Sequence, residues 1–167
     1  MSTRCQVSIE GSPVLIYKHS DGYPEGVLPT LTPFVRSFFA VRGNDPSYLA
    51  ARCLAALVAE SDKARTARAR KCTAEERKRY GYDKPDCLGF GLDTDLHGDI
   101  EYFYTIRTSG AIEVRHRGYD ERGYDEGWSL EQTIPLHPAA PSCCDAPGVC
   151  TRKATRGTTR CRLHVVK

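Results

Sequence analysis

Asp99-Ile100-Glu101-Tyr102-Phe103-Tyr104-Thr105-Ile106 is followed by Ser109-Gly110 and then by Ala111-Ile112-Glu113-Val114-Arg115-His116. Two runs of β-branched and aromatic residues around a turn pair predict a β-hairpin. Ile100, Tyr102, Tyr104 and Ile106 recur at every second position and so share one face of its first strand. Toward the N-terminus the same pattern predicts a second hairpin. Gln6-Val7-Ser8-Ile9 alternates within a strand over 3–10, Val14-Leu15-Ile16-Tyr17 lies in a strand over 13–18, and Gly11-Ser12 is the two-residue turn between them.

Between the hairpins the apolar period lengthens. Leu28, Leu31, Phe34/Val35 and Phe38 recur at three and four residues, which predicts a helix over roughly 28–41, with Pro29 fitting its first turn and the less comfortable Pro33 as the alternative start. Asn44-Asp45-Pro46 opens a second helix over roughly 46–60, with Asp45 as N-cap and Pro46 in the first turn. Its apolar face is Leu49, Cys53, Ala56 and Leu57. Residues 63–79 carry no apolar stripe. They either extend the second helix into solvent or form an insertion, about 63–86, in which Thr73-Ala-Glu-Glu76 is a capping box for a short helix over 74–80. Residues 117–135, which contain the duplicated Gly118-Tyr-Asp-Glu and Gly123-Tyr-Asp-Glu, are expected to be loop. The expected fold is α+β: an antiparallel sheet of two β-hairpins, two helices on one of its faces, and a small C-terminal zinc knuckle.

The chain has 167 residues, room for one body with a core, assigned to 1–134. A proline-rich linker over 135–142 leads to a tail over 143–167. No stretch approaches the roughly 20 apolar residues of a membrane span. The segment Met1-Ser-Thr-Arg-Cys-Gln6 has no apolar run, so no secretory signal is expected and the cytoplasm is the expected compartment. The eight cysteines are then thiols or metal ligands rather than disulfides.

The tail concentrates them. Cys143-Cys144-Asp-Ala-Pro-Gly-Val-Cys150 precedes Cys161-Arg-Leu-His164 in a segment with little apolar surface to bury. Thiolates and an imidazole at this spacing fit a tetrahedral Cys3His site, and binding Zn²⁺ supplies folding energy that burial cannot. The expected ligands are Cys144, Cys150, Cys161 and His164, with Cys143 able to replace Cys144. Four protein ligands leave no open position, so the site is structural. Cys53 lies on an apolar helix face and belongs to the core. Cys72 and Cys87 lack neighbouring ligands that would make them a second metal pair.

Net charge is +3, unevenly spread. Residues 63–79 hold eight Lys/Arg against Glu75 and Glu76, a net +6, and residues 143–167 carry +5, which leaves −8 on the rest. Two cationic segments on an acidic body point to an anionic partner, here nucleic acid. The expected phosphate contacts are Arg65, Arg68, Arg70, Lys71, Arg77, Lys78 and Arg79, aided by Arg152, Lys153, Arg156 and Arg160. The same charges also make solvated surface.

Two loops carry the remaining chemistry. His19-Ser-Asp21-Gly-Tyr23-Pro-Glu-Gly26 sits between a strand and a helix N-terminus, where free N–H groups favour anions. Asp93-Thr-Asp-Leu-His97-Gly-Asp99-Ile-Glu101 enters a strand. If the loops converge, His19, Asp21, His97 and Asp99 make a mixed nitrogen and oxygen site for a divalent metal or acid–base chemistry, and Tyr23 borders it. The plainer reading makes Asp21-Gly22 a turn, Asp99 a cap and the histidines ordinary hydrogen-bonding groups. The chain carries no P-loop, dinucleotide fingerprint or nucleophile elbow.

Four segments, Met1-Ser-Thr-Arg4, Tyr17-Lys-His-Ser-Asp-Gly-Tyr-Pro-Glu-Gly26, Arg42-Gly-Asn-Asp-Pro46 and His97-Gly-Asp-Ile-Glu-Tyr102, resemble a family of small uncharacterised proteins of bacteriophages and mobile elements. The resemblance implies a phage or prophage origin and no particular activity. The tail by itself resembles the Cys/His knuckles appended to nucleic-acid-handling proteins. The leading expectation is a phage accessory protein that binds nucleic acid or a host complex holding it. Two other readings stand beside it: a metal-dependent phosphodiesterase built on His19/Asp21 and His97/Asp99, and an inhibitor whose acidic body docks a basic surface of a host defence complex.

Overall fold

Cys5, Val7 and Ile9 are buried at every second position, and this stripe sets one face of a six-stranded sheet. A computed structural model describes residues 2–83, 89–119, 121–122 and 125–135. The strands are β1 (Cys5–Ile9), β2 (Leu15–Lys18), β3 (Phe90–Asp93), β4 (Tyr102–Ile106), β5 (Ile112–Tyr119) and β6 (Asp125–Ile134). Their order across the sheet is β3-β2-β1-β4-β5-β6. The helices are α1 (Pro24–Arg42), α2 (Pro46–Ala69) and α3 (Ala74–Arg79).

The α+β class stands, and both expected hairpins form, but the sheet is mixed rather than antiparallel. β1 and β4 run parallel, with Val7 opposite Tyr104 and Ile9 opposite Ile106. All three helices lie between β2 and β3, so the chain returns to β1 from the far side, a pairing that local periodicity does not encode. The first hairpin also lacks the expected two-residue turn: pairing ends at Ser8 opposite Leu15, and the Ser12 N–H reaches the Ile9 carbonyl at 2.9 Å. Pro13 has no N–H to continue the ladder. Gly110 turns the second hairpin with φ +83°, as expected of a glycine there.

Residues 125–134 form β6, against the loop expectation, and β5 continues to Tyr119 to meet it. The register steps between Val114/Arg115 and between Gly118/Tyr119, so β6 is bulged. Bulges flip the side-chain parity of a strand. Trp128 and Leu130 therefore sit opposite Arg117 and Arg115, whereas Gln132 and Ile134 sit opposite Val114 and Ile112 on the helix side.

One face holds the core. Ile16, Val7, Tyr104 and Val114 form a cross-strand row on it, buried with Ile9, Ile106 and Ile112. Against them α1 lays Val27, Leu31 and Val35, and α2 lays Leu49, Cys53 and Leu57. Burial pushes the thiols of Cys5 and Cys53 up to about 12. α1 starts at Pro24 and runs through Pro29 and Pro33, earlier than periodicity predicts. Each interior proline costs about 3 kcal/mol, while each buried Val or Leu contributes roughly 1.5–3 kcal/mol. Glu25, Pro29 and Pro33 are four residues apart and share the solvent face, where water satisfies the carbonyls the prolines leave unpaired.

α2 has Asp45 as its N-cap, with the side chain accepting from the Tyr48 N–H, as its sequence implies. It does not stop near 60. Its last buried residue is Leu57, and the helix then continues to Ala69 for about 18 Å. Among the described residues no helix is long and apolar enough to cross a membrane.

Candidate nucleic-acid interface and the histidine cluster

The basic segment is the extension of α2 together with α3. The alternative of a separate insertion over 63–79 gives way to a continuous helix through Lys63, Arg65 and Arg68. Arg70, Lys71, Cys72 and Thr73 make the corner. α3 then starts on the expected capping box: the Glu76 N–H donates to Thr73 Oγ1 at 3.2 Å and the Thr73 N–H donates to Glu76 Oε2 at 2.8 Å. Neither this stretch of α2 nor α3 buries a side chain. The result is a cationic arm standing off the core.

The arm's cations differ from the others in their company. On the open face of the sheet Arg107 donates to both carboxylate oxygens of Glu113 at 2.8 and 2.7 Å, and Arg115 meets the same carboxylate at 3.1 Å. Arg117 pairs with Asp125, Arg4 with Asp99, and Arg42 with Asp45. On the arm, Lys63 is close to Glu60 at 3.2 Å. Among the described residues Arg68, Arg70, Lys71, Arg77 and Lys78 have no carboxylate within ion-pair distance. Arg65 is occupied: it donates to the Gly81 carbonyl and its guanidinium lies 5.9 Å from the Tyr82 ring. Arg79 lies 5.9 Å from the Tyr80 ring.

The two His/Asp loops converge in part. On the open face the Tyr17 hydroxyl is 3.3 Å from His19 Nδ1, and the Tyr17 ring lies 4.8 Å from the His97 ring. His97 Nε2 is hydrogen-bonded to Asp93 Oδ2, while Nδ1 faces Asp99 Oδ1 at 3.8 Å. Gln6, fully buried within β1, fastens the loop. Its amide donates to the Asp95 carbonyl at 3.0 Å and its oxygen accepts from the His97 N–H at 3.1 Å. The hydrogen bond from His97, with those from Asp95 and Thr94 N–H, holds the Asp93 carboxyl below the usual carboxylate range.

Asp21 and Tyr23 do not join this cluster. The Lys18 ammonium donates to the carbonyls of Ser20 and Asp21, and the buried Tyr104 hydroxyl donates to the Gly22 carbonyl at 2.8 Å, so this connection turns to the helix side. Asp21 has φ +52°, and a Cβ on Gly22 would sit 2.7 Å from the Arg4 carbonyl carbon. Tyr23 is the N-cap residue of α1. The segment Asp21-Gly22-Tyr23 therefore builds a corner of the fold.

His97 is hydrogen-bonded through Nε2 to Asp93, and its Nδ1 lies 3.8 Å from Asp99 Oδ1, beyond hydrogen-bond distance. Among the described residues no group of three or more His, Cys, Asp or Glu is arranged to hold a metal. The residues that periodicity and motif reading missed are Gln6, Tyr17, Asp93, Tyr80 and Tyr82. Of these, Tyr80-Gly-Tyr82 beside Arg77-Lys-Arg79 carried a usable signal, aromatic residues next to a cationic run. Cys87 and the tail residues Cys143, Cys144, Cys150, Cys161, His164, Arg152, Lys153, Arg156 and Arg160 lie outside the described residues.

No protein-family model, curated protein or solved structure matches this chain.

Proposed function

We propose that this chain binds nucleic acid and that the arm formed by the end of α2 and by α3 makes the contact. The observation that carries this reading is the contrast in pairing. The arginines of the sheet face are neutralised by neighbouring carboxylates, whereas among the described residues no carboxylate pairs with Arg68, Arg70, Lys71, Arg77 or Lys78. Unpaired cations side by side on an exposed helical arm repel one another unless a polyanion is bound, and a phosphate backbone is such a polyanion. The contacts go to phosphate rather than to base edges, because α3 has six residues and no face shaped for a groove.

Zinc held by Cys144, Cys150, Cys161 and His164 belongs to the same proposal as a structural knuckle, supported by ligand type and spacing. The basic residues of the tail add to the phosphate contact. The short motifs around Tyr17 and His97 support a phage-type accessory role on nucleic acid or on a host complex that holds it. His97 Nε2 is already hydrogen-bonded to Asp93, so that nitrogen lends a hydrolytic role for the cluster no support.

The test is fluorescence anisotropy with a labelled oligonucleotide and the full chain. Arg68→Glu together with Arg70→Glu is expected to weaken binding strongly with an unchanged melting temperature. Unchanged affinity would reduce the arm to solvated surface.

A further inference from the structure

We infer that Tyr80 and Tyr82 form a stacking site for unpaired bases, so that the arm takes single-stranded nucleic acid in preference to duplex; this rests on the reading of the arm as a nucleic-acid contact.

The two rings follow α3 and lie beside Arg65 of α2, 6.1 Å apart and tilted by 52°. Tyr80 is 60% exposed, next to a helix that buries no side chain. The rings are held in place by backbone. Gly81 adopts φ +68°, its N–H meets the Lys78 carbonyl at 3.3 Å, and the Tyr82 N–H meets the Arg77 carbonyl at 2.8 Å. That pair of bonds is the Schellman closure of a helix C-terminus. Arg65 reaches from α2 to the Gly81 carbonyl, so the tyrosine turn is tied to the longer helix.

Cations surround the rings. Arg77, Lys78 and Arg79 fill the last turn of α3, and Arg79 and Arg65 lie near the two ring faces. A fixed aromatic beside Arg77 and Lys78, which no described carboxylate pairs, matches what a single strand offers: a charged backbone with free π-faces at nucleotide spacing. A duplex hides those faces in its own stack. The open sheet face also has aromatics, Phe103 and Trp128 with centroids 5.9 Å apart, but its arginines are already paired with Glu113 and Asp125, which leaves less charge for a backbone.

The experiment measures the affinity of the full chain for a labelled oligothymidylate of about 16 nucleotides, for an oligouridylate of the same length, and for the corresponding duplex. Tyr80→Ala and Tyr80→Phe are compared with the parent. The parent is expected to prefer a single strand. Tyr80→Ala is expected to weaken single-strand binding by about tenfold and to leave duplex binding unchanged, with Tyr80→Phe near the parent. Single-strand affinity unaffected by Tyr80→Ala, or equal affinity of the parent for strand and duplex, would overturn the stacking site and leave the phosphate contact standing. Binding to none of the three probes would overturn the arm reading and the stacking site with it.

Discussion

His97 donates from Nε2 to the Asp93 carboxylate, which ties the loop before β4 to the end of the edge strand β3. The imidazole thereby fastens the loop to the strand. Asp93 is held below its ordinary pKa first by this bond, and Asp125 is lowered by Arg117, Glu113 by Arg107 and Glu10 by the Thr108 N–H. Folded values below unfolded ones add stability that is complete above the unfolded pKa of about 4 and is lost as pH falls through the folded values. The melting temperature is therefore expected to drop on acidification below about pH 4. Asp93→Asn keeps an acceptor for Nε2 and removes one titration. It should melt lower than the parent at neutral pH and lose less on acidification. An identical acid profile would count against the pairing.

Tyr104 couples the sheet to the β2–α1 corner through the Gly22 carbonyl. Tyr104→Phe keeps the ring and leaves that buried acceptor unsatisfied, at a cost of about 1–3 kcal/mol. Urea unfolding measures it, and a neutral effect would show that the corner is held without the phenol.

Burial that raises Cys5 and Cys53 to about 12 leaves about one thiolate in ten thousand at pH 8. Cys72 lies on the arm and is half-buried rather than buried. Alkylation of the native chain, read by peptide mass, should label Cys72 and spare Cys5 and Cys53, with all three labelled in denaturant. Rapid native labelling of Cys53 would contradict its place in the core.

The legible parts of the fold are those with local, uninterrupted periods. Ile100 to Ile106 and Leu49 to Leu57 sit on the buried faces that their spacing implies, and Asp45 and Thr73 cap the helices they precede. β6 was not legible because its bulge reverses parity between Leu130 and Gln132, so apolar residues at even positions end on opposite faces. β3 is four residues with a glycine inside, too short to carry a period. The parallel pairing of β1 and β4 joins residues nearly 100 positions apart, beyond any local signal. In the candidate site, the cationic run was visible as composition. Which cations lack a carboxylate depends on tertiary neighbours, as does the burial of Gln6 under the His97 loop.

The zinc proposal is checked by metal analysis of the purified chain and of Cys161→Ser. About one zinc per parent chain and its loss in the variant are expected, since a structural site needs all four ligands. The body should keep its melting temperature, because its described buried cluster is built from residues 5–114. Equal zinc in both proteins would sink the ligand assignment.

The central claim is that unpaired cations on the arm contact phosphate, and the salt dependence of binding tests it most directly. The logarithm of affinity for a single strand falls with the logarithm of salt concentration by about 0.7 per phosphate neutralised. Removing Arg68 and Arg70 together, as the double alanine variant, should flatten that slope by about 1.4. A slope that is steep in the parent and flatter by this amount in the variant is the expected result. An identical slope in the two proteins would contradict the account.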